Sequence, residues 1–208
     1  MEAGTSRPAN DAAPDFLAHW VVKTARLDEM TTWYRKVFGA RVVPQDRQGA
    51  FLSGDREHHL LADRGAGHPA VPPPAGPAAA QGPRDRPPRR PVASLEKLLT
   101  TYERLERAGI RPVWSINHGP TTSLYYEDPD GIRLEFQVDN FPTADATAAY
   151  FAGEECVANP IGTEFDSGYL LERLRRGDDP AELFRPGAGT RPGTTPRANK
   201  RAITWKTL

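Results

Sequence analysis

One short stretch, Ile116 to Phe141, holds an imidazole, a phenol and a carboxylate that could act together: His118, Tyr125 and Glu135. An imidazole gains or loses a proton near neutral pH. A phenol can relay a proton, and a carboxylate can take one or bind a hard cation. The stretch reads INHGPTTSLYYEDPDGIRLEFQVDNF. Asp128-Pro129-Asp130-Gly131 is a turn by composition, since proline sets one φ and Asp and Gly tolerate the rest. Residues alternate on both sides of it. Leu124 and Tyr126 share one face, and Ser123 and Tyr125 share the other. Beyond the turn, Ile132, Leu134, Phe136 and Val138 make an apolar face, with Arg133, Glu135, Gln137 and Asp139 opposite. The apolar face requires a core. The polar face looks at water or into a cavity, and charged residue types favour water. Asp139 and Asn140 read as strand-end turn residues.

Other imidazoles lie upstream. His19 sits inside the strand-like run FLAHWVVK, where a histidine is either a hydrogen-bonded core residue or a ligand. His58 and His59 are neighbours in another short strand, so a regular strand sends them to opposite faces. The elements that must carry these groups follow in order. Leu27 to Phe38 is a helix with Leu27, Met30, Tyr34, Val37 and Phe38 on one stripe, acids in its first turn, bases in its last, and Gly39 as its stop. Residues 40–44, 50–53 and 58–62 are strands. Ser94 caps a second helix carrying Leu95, Leu98, Leu99, Tyr102 and Leu105. Residues 111–116, 121–126 and 132–138 supply three more strands. Residues 143–151 and 167–176 read as helices, with a short turn at 179–184. The fold class is therefore α+β.

The segment from Arg64 to Pro91 breaks the pattern. Nine prolines fall in it. Proline lacks the N–H that an interior strand donates, so the first strand of the second half reads as disrupted. The domain plan is a disordered 1–14, a first module at 15–63, a linker or frame-disturbed segment at 64–92, a second module at 93–142, a helical extension at 143–185 and a disordered tail at 186–208. The Pro-, Arg- and Ala-rich composition fits an out-of-frame reading of GC-rich DNA. The 27 basic and 27 acidic residues balance, which argues against nucleic-acid binding. One cysteine, Cys156, excludes an internal disulfide framework. No apolar run long enough for a membrane span occurs, and a cytoplasmic protein is expected.

The string HGPTTSLYY followed by DPDG and the strand glutamate resembles the closing hairpin of type I extradiol ring-cleaving dioxygenases. That family belongs to the vicinal-oxygen-chelate superfamily, with glyoxalases and bleomycin-resistance proteins. The resemblance implies paired βαβββ modules forming a cupped mixed sheet around Fe(2+). It implies metal ligation by His19 and Glu135, and catalytic roles for His118, Tyr125 and His59. The substrate would be a catechol or biphenyl-diol aromatic, with O2 as co-substrate, and a homo-oligomer is allowed. The family's second histidine ligand belongs near Arg86 to Pro88, where none is found, and His68 sits among Gly and Pro. Two of three protein ligands remain, so weak iron binding and little turnover are expected. The resemblance leaves two alternatives: a metal-free binding protein of the bleomycin-resistance type, or a glyoxalase-like enzyme.

Overall fold

The structure is a computed structural model, and it describes residues 19–45, 49–53, 58–63, 89–91 and 94–195. The side chains of residues 19, 20, 44, 45, 58–63 and 89–91 lie outside that description. So do the expected N-terminal lead-in, nearly all of the proline-rich segment, and the end of the tail. The chain divides into two units, residues 1–70 and 71–208.

The first unit runs β1 (His19–Thr24), α1 (Leu27–Phe38), β2 (Arg41–Gln45), β3 (Gly49–Ser53) and β4 (His58–Asp63). Its sheet order is β1-β4-β3-β2, with β1 and β4 parallel and the other pairs antiparallel. Helix α1 forms where its apolar spacing predicts. Leu27, Met30, Tyr34 and Val37 are all buried. Asp28 and Glu29 face the positive end of the helix dipole, and Arg35 and Lys36 the negative end. Gly39 ends the helix at φ +66, a left-handed conformation that suits glycine.

The second unit repeats that order with β5 (Arg89–Pro91), α2 (Leu95–Arg107), β6 (Trp114–Asn117), β7 (Thr121–Glu127) and β8 (Arg133–Asp139). It then adds α3 (Ala144–Phe151), α4 (Glu154–Ala158), β9 (Thr163–Glu164), α5 (Ser167–Arg175) and α6 (Pro180–Leu183). The sheet order is β5-β8-β7-β6-β9, with β5 and β8 parallel. In each βαβββ module the first strand thus lies beside the fourth. The first strand of the second module survives as a three-residue edge strand, a position where proline does not interrupt a ladder.

Ser94 caps α2 by accepting from the Lys97 N–H at 3.1 Å. Leu95, Leu98, Leu99, Tyr102 and Leu105 then pack on the sheet face made by Leu124, Tyr126, Leu134, Phe136 and Val138. Helix α5 lies beside α2 and buries Leu170 and Leu171. The described part of the expected tail, 186–195, folds back through Arg191, which donates to Asp166 at 2.7 Å. Among the described residues no helix is long and apolar enough to cross a membrane.

The turn between β7 and β8 is chemically specified. The Asp128 side chain accepts from the N–H groups of Asp130 and Ile132 at 2.9 and 2.8 Å. Gly131 takes φ +82. These bonds set the β7–β8 register, which pairs Tyr125 with Glu135 and Tyr126 with Leu134.

Two tyrosines between sheet and helix generate the first predictions. Tyr126 is fully buried, and its hydroxyl finds no hydrogen-bond partner among the described residues. Tyr126→Phe should therefore leave the thermal midpoint unchanged or raise it, because a buried unsatisfied hydroxyl is lost. Leu134→Ala should cost about 2–5 kcal/mol. Tyr102 is pushed up to about 12 by burial first, then by its bond to and the charge of Glu106. Burial also raises Tyr126. Free tyrosine ionises near about 10. A raised folded value means the stability is present below about pH 10 and is lost as pH climbs toward about 12. Melts between neutral and strongly alkaline pH should show that fall, smaller in Tyr126→Phe.

Candidate active site

Strand register builds one row of side chains across three strands. Trp114 pairs with Tyr125, and Tyr125 with Glu135. Glu135 is 2% exposed, unlike Arg133 and Asp139 on the same strand face, so it escapes the solvation that its residue type favours. A buried carboxylate is costly unless its oxygens are met. Here Tyr125 donates to Oε1 at 2.8 Å.

His118 follows β6 and reaches back over the same row. Its Nε2 lies 3.1 Å from the Tyr125 hydroxyl. Its Nδ1 lies 2.6 Å from the Ile161 carbonyl oxygen. A carbonyl only accepts, so Nδ1 carries a proton. Tyr125 has one proton, and it can go to Glu135 or to a bare Nε2. A proton added at Nε2 satisfies both contacts of the phenol oxygen at once. The three residues can therefore hold one mobile proton between an imidazole and a carboxylate. Trp114 packs against the pair, 5.1 Å from the Tyr125 ring and 5.6 Å edge-on to His118. Its indole N–H donates to Glu164 at 2.9 Å.

A second set of bonds fixes the loop that carries His118. The Asn117 side chain accepts from the Gly119 N–H at 2.8 Å and donates to the Phe184 carbonyl at 2.7 Å. Asn140 donates to the Gly119 carbonyl at 2.7 Å and accepts from Thr122 at 2.8 Å. Asn140 thus acts beyond its own turn. Gly119 stands at φ +92, and an added Cβ would meet the Tyr150 ring at 2.1 Å.

Of the sequence-selected residues, the structure joins His118, Tyr125 and Glu135. For the first-unit histidines it gives backbone register alone. His19 stands across from His58, and His59 across from Trp20 and Leu52. His68 lies outside the described residues. The sequence reading missed Trp114, Glu164, Asn117 and the Ile161 carbonyl. Trp114 was findable as a residue type, since it lies within an expected strand. The carbonyl was not, because a main-chain oxygen leaves no mark on residue type.

A two-histidine, one-carboxylate iron site needs three donors on one side of the ion. Among the described residues no group of three His, Cys, Asp or Glu side chains could hold a metal. The position on β5 in register with Glu135 is Arg89. A guanidinium is always protonated and offers no lone pair. Among the described residues such a site is not completed.

Comparison with known proteins adds four findings. The family profile described as Glyoxalase/Bleomycin resistance protein/Dioxygenase superfamily matches residues 16–136. "Biphenyl-2,3-diol 1,2-dioxygenase 2" of Rhodococcus globerulus is 41% identical over 166 residues, covering 80% of this chain and 84% of that protein. "Biphenyl-2,3-diol 1,2-dioxygenase 3" of the same organism is 38% identical over 178 residues, covering 80% and 86%. Among solved structures, lactoylglutathione lyase from Agrobacterium tumefaciens aligns with a TM-score of 0.47 at 21% identity, over 60% of this chain and 94% of that one.

If Tyr125 holds the buried carboxylate, Tyr125→Phe should lower unfolding free energy by about 1–3 kcal/mol. Urea titration measures this. A variant as stable as the parent would show that the bond to Glu135 contributes nothing to the fold.

Proposed function

The chain belongs to the Glyoxalase/Bleomycin resistance protein/Dioxygenase superfamily, and from that premise we propose that it is an extradiol dioxygenase-like protein with an impaired Fe(2+) site. Its substrate class is a catechol or biphenyl-diol, with O2 as co-substrate. The dioxygenase relatives support that class. The carrying observation is the chain of contacts from His118 through Tyr125 to buried Glu135. In this reading the chain's own residues handle protons. His118 Nε2 takes a proton from a substrate hydroxyl or returns one, and the Tyr125 hydroxyl connects that nitrogen to Glu135. By the family resemblance, Glu135 and His19 are the protein ligands that remain. The first module contributes one proton-handling histidine. The family resemblance favours His59 for that role, and the adjacent His58 is the register partner of His19.

One observation favours a second reading, a metal-free pocket for a small molecule. It is the arginine at the β5 position in register with Glu135, a residue type that cannot ligate a cation. Iron decides between the two. Protein purified anaerobically with Fe(2+) supplied should retain well under one iron per chain. Arg89→His should raise affinity by roughly tenfold or more, since even outer-shell changes move affinity by about 10–100-fold. The same variant should turn 2,3-dihydroxybiphenyl into yellow ring-fission product. An unchanged iron content in Arg89→His, with a ligand that stabilises the parent without metal, would replace the first reading by the second.

A further inference from the structure

Resting on the proton-handling role proposed for His118, we infer that the strap at residues 159–164 belongs to the catalytic site, because its Ile161 carbonyl fixes which His118 nitrogen carries the proton. Gly162 is the positioning residue that lets the strap reach that far.

The contact of 2.6 Å between Nδ1 and the Ile161 oxygen requires hydrogen on Nδ1. A neutral imidazole then has a bare Nε2, and that nitrogen faces Tyr125 at 3.1 Å. The partner of one ring nitrogen sets the state of the other. The Tyr125 contact does not itself set the choice, since a phenol can donate or accept.

The strap is held by pairing and by side chains. Glu164 pairs with Ile116 and Thr163 with Asn117, and the Phe165 N–H donates to Ser115 at 3.1 Å. The Asn159 side chain accepts from the Gly162 N–H at 3.1 Å and donates to Thr163 at 3.2 Å. Gly162 stands at φ +110. A Cβ there would lie 2.1 Å from the Asn117 carbonyl oxygen and 2.7 Å from the His118 Cα. Both are backbone atoms at the end of a paired strand and cannot swing aside. A side chain at 162 must push the strap away from His118. An open cavity of about 780 Å³, bordered by Asn159, Gly162 and Tyr150, gives the strap room to yield. The sheet can therefore persist while the carbonyl is lost.

The test reads the His118 tautomer directly, by two-bond proton–nitrogen correlation spectra of the metal-free, substrate-free chain at a pH where the imidazole is neutral. His118→Gln assigns the signals. The parent should show hydrogen on Nδ1 and a bare Nε2. Gly162→Ala, with a cooperative melt, should show the two nitrogens averaging. Asn159→Ala, which removes two of the strap's side-chain bonds, should show a smaller shift the same way, and it decides the matter if Gly162→Ala does not fold. Hydrogen on Nε2 in the parent overturns the inference, as does the parent pattern in a folded strap variant. With an active enzyme, Gly162→Ala should lower kcat by roughly tenfold and leave KM within about twofold, as for a proton-transfer defect. A parent with the locked tautomer but no ring cleavage would sink the proposed activity and leave the lock standing.

Discussion

A carboxylate in the middle of a sheet, almost wholly shielded from water, is the constraint around which the second unit is arranged. Glu135 keeps its place because Tyr125 stands directly opposite on the neighbouring strand and bonds to it. That pairing is a matter of register, and register is set a few residues away by the Asp128 side chain bonding the amides of Asp130 and Ile132. A slip of one residue would turn Glu135 toward α2 and Phe136 toward the polar row. Turn chemistry, strand pairing and the fate of one charge are a single problem here.

The C-terminal extension solves a different part of it. Without β9, β6 would be an edge strand with unpaired main-chain groups. The extension pairs with that edge, ties the Trp114 indole through Glu164, and places a carbonyl against His118. It also supplies α5, which widens the helical layer beside α2. The same segment therefore closes the sheet and completes the surroundings of the histidine. The asparagines at 117 and 140 do the equivalent for the loop from inside the module.

Much of the architecture was legible beforehand. The bounds of α1 follow from its apolar spacing, its end charges and Gly39. The cap at Ser94 and the turn at Asp128 are residue-type signals with local causes, and each formed as read. The strand after the proline-rich segment was harder. Its residues argue against an interior strand, and the structure reconciles this by making it three residues long at an edge. Helix α4 and strand β9 were not foreseen. A two-residue strand has no periodicity to detect, and its pairing is decided by the strand it meets.

The sequence by itself determined the α+β order of elements, the hairpin, and the chemical types of the groups at the candidate site. These depend on spacing and turn chemistry within a few residues. Tertiary structure alone decided that Glu135 is buried and that Trp114 backs the tyrosine. It alone decided that a main-chain oxygen at residue 161 governs a histidine at 118. Those outcomes join residues as far as 43 and 50 positions apart in the chain. Burial and main-chain partners are properties of the packed neighbourhood, and residue type does not encode them.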